Sequence, residues 1–301
     1  LKLMDLLVVL EQVEQGRVQL DDMVQVTVEA ARMGGSQVYL DPKEQFTIED
    51  LLYALAVQSA NDAAVALAIH VAGSTEGFID LMNRRAKELG MNSTQFHSVH
   101  GLPPSKGQVP DETTAYDLSI LGRELARRPD IFKYTGTKER PFRDGQFIMR
   151  NHNHLLDTVA GCDGFKTGYF TAAGFSIVAT AKRGGVRVIA IVMGSKDRKV
   201  RDAKAAEFLT KGFLLAEPKP EAIAAPNTPA PIPAKTATVA SPPAPETMQT
   251  PREQETRAPS SGGGWGMFFV GVGVGLVLAG VLVVYISRKR SRRSSNYRRY
   301  R

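Results

Sequence analysis

The order of helical and strand patterns predicts an α+β fold for residues 1–216 of this 301-residue chain. Helix-like apolar runs come first and short β-prone runs follow them. A run with helical periodicity at about residues 200–215 then ends the region. Such an order is typical of an antiparallel sheet covered by helices, with further helices forming a part of their own.

The first half of this region carries the helical patterns. Residues 3–13 are apolar around most of a helix circumference, as expected for a helix buried in a core. Thr47 and Asp50 resemble a capping box ahead of a helix at residues 51–57. Further helical runs cover residues 62–71, 76–89 and 114–128.

The strand signals lie in the second half. Runs rich in β-branched and aromatic residues occur at residues 147–150, 165–169, 174–182 and 186–193. Gly184 and Gly185 separate the last two runs and predict a tight hairpin turn. We therefore expect an antiparallel meander, followed by a helix that covers it.

The composition changes abruptly after residue 216. Of the 17 prolines in the chain, 11 lie within residues 217–264, mixed with Ala, Thr, Ser and Glu. Such a segment has too few apolar side chains to offset the entropy of ordering. We expect a disordered, partly extended tether here.

Residues 265–287 predict one transmembrane helix. The 22 residues from 265 to 286 carry no charge, which is enough to cross a hydrocarbon core of ~30 Å. Trp265 and Tyr285 lie near its two ends, where aromatic belts form. The spacing of Gly271 and Gly275 is weak evidence for helix pairing, so dimerisation stays open.

The positive charge of the chain is confined to its end. The net charge is +7, and residues 288–301 alone hold eight Lys and Arg residues and no acid. The rest is about neutral, which argues against a nucleic-acid partner. Basic residues beside a membrane helix favour the cytoplasmic side, so the globular domain is expected outside the cytoplasm. Cys162 is the only cysteine, so no intrachain disulfide is possible.

Three polar motifs carry the chemistry. Lys2 opens an apolar helix, and a lysine whose pKa is lowered by burial can act as a base. Ser59-Ala60-Asn61 lies between two apolar helices; it is either a helix cap or a proton carrier with a substrate-binding amide. Lys166-Thr167-Gly168 on a strand offers a cation, a hydroxyl and an open backbone to a free carboxylate.

Taken together and in this order, these motifs resemble those of low-molecular-mass D-alanyl-D-alanine carboxypeptidases, the penicillin-binding serine peptidases of family S11. The resemblance covers about residues 1–215. It includes Gln58-Ser59-Ala60-Asn61-Asp62, Gly164-Phe165-Lys166-Thr167-Gly168 and the Asn151-His152-Asn153 segment. The fold implied is that of the penicillin-binding proteins and β-lactamases.

The resemblance implies removal of the terminal D-alanine from peptidoglycan stem peptides through an acyl-enzyme, with β-lactams as inhibitors. Lys2 would be the base, Ser59 the proton carrier and Asn61 a ligand of the substrate amide. Lys166 and Thr167 would anchor the carboxylate beside Gly168, and the Tyr169 N–H would bind the oxyanion. The domain is then expected in the periplasm of a bacterium, held by one helix in the inner membrane, without metal or cofactor.

The nucleophile of the Ser-x-x-Lys motif does not occur in the sequence. Because it precedes the lysine by three residues, we expect it two residues ahead of Leu1, in a segment that this sequence does not include. His152 stands where related sequences often have a basic residue, and its role is open.

Three other interpretations stay open. One is a membrane-tethered peptidoglycan-binding module that has lost its nucleophile. Another is a serine β-lactamase, for which Glu88 and Asn92 have the spacing of the deacylation motif. The last is a sortase-anchored wall protein, but no Leu-Pro-x-Thr-Gly motif precedes the apolar segment.

Overall fold

A computed structural model describes residues 1–216. The predicted tether, membrane helix and basic tail, residues 217–301, lie outside the described residues. Within residues 1–216 the α+β prediction is confirmed, since helices alternate with three antiparallel sheets. No single helix of this part has both the length and the apolarity to span a membrane. The helices Asn61–Ala72 and Thr75–Leu89 are together long and apolar enough, but they meet at an angle of 84°.

The predicted helices are all present, with short ones added. In chain order they are α1 (Lys2–Glu14), α2 (Val28–Ala31), α3 (Ile48–Tyr53), a π-helix (Ala54–Gln58), α4 (Asn61–Ala72), α5 (Thr75–Leu89), α6 (Ala115–Ala126), α7 (Ile131–Thr135), α8 (Leu155–Thr158) and α9 (Arg198–Leu215). Helix α3 begins earlier than expected, because the Thr47 hydroxyl itself accepts the Asp50 N–H at 3.1 Å and caps the helix.

Short strands surround one longer sheet. The strands are β1 (Met23–Gln25), β2 (Gln45–Thr47), β3 (Glu139–Phe142), β4 (Phe147–Arg150), β5 (Cys162–Phe170), β6 (Gly174–Arg183) and β7 (Val186–Ser195). The expected meander is only partly right: β4 pairs with β3 in a separate hairpin, whereas β5, β6 and β7 form the main sheet.

In the main sheet β6 lies between β5 and β7, and both pairings are antiparallel. Gly184 and Gly185 form the turn after β6 with φ of 50° and 77°, as the two-residue turn requires. Helix α9 packs Ala205 and Leu209 against Ile177 of the sheet, so the predicted covering helix is confirmed.

Helix α1 lies in the centre of the larger core. Its apolar residues, among them Leu6 and Leu7, are fully buried against α4 and the segment before it. Burying each of these leucines stabilises the fold by roughly 2 kcal/mol. Since α1 also contacts α5, α6 and β5, its first residue is held at a fixed place beside the sheet.

Candidate active site

Lys2 and the Ser59-Ala60-Asn61 motif meet directly. Lys2 Nζ donates to Asn61 Oδ1 at 2.6 Å and to the backbone carbonyl of His100 at 2.7 Å. The two side chains are 59 residues apart in sequence, and the contact follows from α1 packing against α4. The fold thus brings together two of the three predicted motifs.

Burial sets the protonation of Lys2. It lowers the pKa of the ammonium to about 8, against the opposing pull of Asp5, Asp111 and Asp62. A neutral lysine amine has two N–H donors and one lone pair. Because the two short contacts use both donors, the lone pair is left to accept a proton.

Ser59 occupies a strained backbone position. Ser59 directly follows the last residue of the π-helix, and its φ of 59° and ψ of 32° are left-handed. Only a few per cent of residues other than glycine adopt a positive φ, and both π-turns and such strain are common at functional sites. The Ser59 hydroxyl forms no hydrogen bond within residues 1–216, so it is available to a ligand.

Asn61 is fixed by the loop that precedes β2. Its Nδ2 donates to the Gly34 carbonyl at 2.7 Å, and its backbone N–H donates to the Ser36 carbonyl at 2.8 Å. The buried carboxylate of Asp62 holds the same loop through the N–H groups of Val38 and Leu40. Neither Ser59 nor Asn61 caps α4, so the alternative of a helix cap is wrong.

Lys166 supplies a second buried amine. It lies on β5 with 9% of its surface exposed, and its Nζ donates to the Thr167 carbonyl at 3.1 Å. Burial, and after it the charges of Lys2 and Arg201, lower its pKa to about 7. Burial is the larger cause of this shift, and the neighbouring cations add to it.

The strand beyond Lys166 is open. A β-carbon built on Gly168 would meet no atom within 4 Å, so its backbone faces free space. Tyr169 is 57% exposed and stacks on Phe175, with their ring centroids 4.1 Å apart. Thr167, half-buried between Lys166 and Gly168, completes the predicted strand motif.

Arg201 is a site residue that the sequence analysis missed. It lies in α9 and is only 3% exposed, and its guanidinium contacts Asp202 at 2.7 Å. Its charge contributes to lowering the pKa of both Lys166 and His152, so it lies within electrostatic range of the third motif. In the sequence it looks like one of several basic residues on a solvated helix face, and only its burial sets it apart.

His152 lies next to these cations in a neutral state. The segment of His152 and His154 is a loop that leads into α8. Burial lowers the pKa of His152 to about 4, and the charge of Lys166 contributes to the shift. Among the described residues, no three or more His, Cys, Asp or Glu side chains are grouped to hold a metal ion.

Asp5 is a second residue that the sequence analysis missed. It follows Lys2 by one helical turn and is 2% exposed, and both carboxylate oxygens are buried without a hydrogen-bond partner in the described part. Burial raises its pKa to about 7. A single acidic residue in an apolar helix is usually interpreted as a surface residue, so the sequence around Asp5 does not predict its burial.

Two further residues that the sequence analysis named have ordinary surroundings. Cys162 is half-buried against the sheet core, and burial raises the pKa of its thiol. Glu88 lies in α5 with its side chain half exposed and pairs with Arg85 at 3.2 Å.

The comparison with protein families decides the membership of the chain. Residues 1–197 match the model of peptidase S11, described as D-alanyl-D-alanine carboxypeptidase. The chain belongs to this family. Among curated S11 members, DacF of Bacillus subtilis is 38% identical over 222 residues, which cover 73% of this chain and 56% of DacF. DacC of Escherichia coli is 38% identical over 224 residues, which cover 72% of this chain and 54% of DacC.

Solved structures agree with the family. Penicillin-binding protein 6B from Escherichia coli is 34% identical, with a TM-score of 0.65, and covers 70% of this chain and 67% of its own. Penicillin-binding protein D2 from Listeria monocytogenes, solved with ampicillin bound, is 31% identical with a TM-score of 0.63. The match covers 70% of this chain and 84% of the D2 chain. The penicillin-binding-protein fold predicted for residues 1–216 is thereby confirmed. The chain spans about half the length of the curated relatives DacF and DacC.

Proposed function

We propose that this protein is a serine-type D-alanyl-D-alanine carboxypeptidase that removes the terminal D-alanine of peptidoglycan stem peptides. The contact of Lys2 with Asn61 is the main support for this proposal, because it holds a buried amine against the amide that the family resemblance assigns to substrate binding. The names of the S11 relatives support the same activity.

In the proposed reaction the serine two residues ahead of Leu1 attacks the carbonyl between the two D-alanines. Lys2 takes the hydroxyl proton, and Ser59 carries a proton to the leaving amine as the C–N bond breaks. Free D-alanine departs and leaves an ester. Water then attacks the ester with Lys2 again as base, which regenerates the serine.

The cations hold the substrate during these steps. The terminal carboxylate lies between Lys166, Thr167 and Arg201, which together provide charge and a hydroxyl donor. The oxyanion accepts hydrogen bonds from the backbone N–H groups of the serine and Tyr169. The open space over Gly168 lets the peptide backbone approach the strand. A β-lactam, which also carries a carboxylate, would acylate the same serine.

We also propose that residues 217–264 form a tether and residues 265–287 a single helix in the inner membrane. The domain then works in the periplasm, and residues 288–301 lie in the cytoplasm. The uncharged 22-residue segment and the eight basic residues after it support this arrangement.

The test uses the full-length protein, including the segment ahead of Leu1. Labelling by a fluorescent penicillin and release of D-alanine from a pentapeptide are expected for the natural protein, and Lys166→Ala should abolish labelling. Lys87→Ala removes a lysine from α5 and serves as a control that keeps labelling. Undiminished labelling of the Lys166→Ala variant would contradict the anchor role.

The same samples distinguish the alternatives. A peptidoglycan-binding module without a nucleophile would bind muropeptides but form no covalent penicillin adduct. A β-lactamase would turn nitrocefin over rapidly instead of forming a stable adduct. The exposed position of Glu88 and its ion pair with Arg85 argue against its use in deacylation.

A further inference from the structure

A cavity of about 360 Å³ lies at the far end of β5, beyond the catalytic groups. It is bounded by the turn between β5 and β6 and by the end of β7. The lining includes the aromatic rings of Tyr169 and Phe175, the hydroxyl-bearing Thr171, and the cation Lys196. Apart from the backbone N–H of Tyr169, the proposed reaction uses no group of this cavity.

An irregularity in the sheet gives the cavity its shape. Phe175 of β6 pairs with Ser195, but Ile177 pairs with Val192, so β7 carries an extra residue in this stretch. Such a bulge bends its strand and redirects the residues that follow. The backbones also approach closely here, since a β-carbon on Gly174 would lie 2.9 Å from the Ser195 carbonyl oxygen. The bulge therefore brings Lys196 to the rim of the β5–β6 turn.

The direction of the bound substrate leads into this cavity. In the proposed function the terminal carboxylate lies at Lys166 and Thr167, and the scissile carbonyl lies at the Tyr169 N–H. The peptide then runs along β5 toward the turn. An extended chain advances about 3.3 Å per residue. The third residue of the stem peptide, next to the D-alanine pair, therefore lies alongside residues 170–171, at the cavity mouth.

The lining has the chemistry of a carboxylate site with an apolar wall. Lys196 is exposed and forms no ion pair within residues 1–216. The neighbouring Asp197 carboxylate is occupied by the N–H groups of Lys199 and Val200, at 2.6 and 3.2 Å, and caps α9. The stacked rings of Tyr169 and Phe175 offer an apolar surface to an alkyl chain.

We propose that this cavity is a subsite for the third residue of the stem peptide and that Lys196 binds a free carboxylate at the end of its side chain. This inference rests on the proposed function. It assigns a preference for a diamino dicarboxylic acid such as diaminopimelate over lysine at the third position. The diaminopimelate side chain ends in a carboxylate beside its ammonium, whereas the lysine side chain ends in an ammonium alone, which Lys196 would repel.

The experiment compares two pentapeptides that differ only in the third residue, diaminopimelate or lysine, using the full-length protein. We expect a higher kcat/KM for the diaminopimelate peptide, and Lys196→Ala should reduce this preference roughly fivefold, the upper range for an exposed ion pair. Lys196→Glu should reverse it. Lys199→Ala, which removes an equal charge three residues further along the chain, should leave the preference unchanged.

Penicillin labelling separates this inference from the proposed function, because a penicillin has no third residue. Labelling at the natural rate in Lys196→Ala, with a reduced preference, supports the subsite. Equal kcat/KM for both peptides in the natural protein, or a preference that Lys196→Ala leaves intact, overturns it. Failure of the natural protein to label or to release D-alanine from either peptide would instead contradict the proposed function itself.

Discussion

Gly35 lies directly against the side chain of Asn61: a β-carbon at position 35 would stand 2.7 Å from Asn61 Nδ2. The same β-carbon would lie 2.9 Å from Leu102 Cδ2, and Gly35 has a φ of 77°. A glycine far from the motifs in sequence therefore sets the position of the amide that holds Lys2.

We expect Gly35→Ala to slow acylation by penicillin at least tenfold, because Asn61 must move and Lys2 loses a fixed acceptor. Gly16→Ala is the matched control. Gly16 has a similar φ of 67° but no atom within 4 Å of an added β-carbon. Both variants should lose about 1 kcal/mol of stability from backbone strain, and only Gly35→Ala should acylate slowly in stopped-flow measurements. Equal acylation rates would contradict the role of Gly35.

Gly168→Ala should separate binding from stability. Since an added β-carbon meets nothing within 4 Å in the free protein, thermal unfolding should be unchanged. The methyl group would instead enter the space where the substrate backbone approaches, so D-alanine release should fall roughly 10²-fold. A lower melting temperature together with normal D-alanine release would contradict this role of Gly168.

Asn61→Ala tests the contact with Lys2 more directly than Gly35→Ala does, because it removes the hydrogen-bond acceptor itself. Asn61→Ala deletes the 2.6 Å contact, and we expect acylation to fall about 10²-fold because the base is no longer oriented. Asn83→Ala is the control, since Asn83 also bonds backbone groups, the N–H and carbonyl of Phe96, away from the motifs. It should lose about 1 kcal/mol of stability and keep its acylation rate.

The acylation rate should depend on pH through Lys2. The amine must be neutral to accept the serine proton, and its pKa is about 8. The rate of β-lactam acylation at saturating ligand is therefore expected to rise as the pH passes from 7 to 9. A saturating ligand keeps the carboxylate bound, so titration of Lys166 does not obscure the result. A rate that is flat across this range would exclude Lys2 as the titrating base.

Asp5 should make the fold less stable at alkaline pH. Its pKa in the folded state is about 7, above its ordinary value of 3.8, so the folded state binds more protons than the unfolded state. The contribution of protonated Asp5 is complete below about pH 4 and is lost as the pH rises through 7.

Asp5→Asn removes this titration. We expect it to raise the free energy of unfolding relative to the natural protein by about 4 kcal/mol more at pH 8 than at pH 4, in urea titrations. The exposed Asp21→Asn variant should show no such pH-dependent difference. The same stability difference at both pH values would show that Asp5 does not titrate during unfolding.

Much of the fold follows from the sequence because strand-forming residues and turn glycines mark the strands. Residues 174–182 and 186–193 are rich in β-branched residues, and the structure pairs them around Gly184 and Gly185. Strands β1 and β2 are only three residues long and depend on pairing across the chain, which no local pattern reveals. The π-helix also escaped prediction, because residues 51–57 have the pattern of one regular helix.

The candidate site was predictable only where its residues form contiguous motifs. Lys166 and Thr167 stand beside Gly168 in sequence, whereas Arg201 reaches the site from α9 through the packing of that helix on the sheet. Its burial, and that of Asp5, are tertiary properties. A sequence pattern cannot distinguish a buried charge from a solvated one on a helix of mixed composition.

The crowding of ammonium groups around β5 has a thermodynamic consequence. Since Lys166 titrates near neutrality in the free protein, an arriving anion favours its protonated form and draws a hydrogen ion from the medium. Binding of the anion at pH 7.5 should thus be accompanied by net uptake of hydrogen ions from the solvent. The calorimetric heat would then vary with the ionisation enthalpy of the buffer.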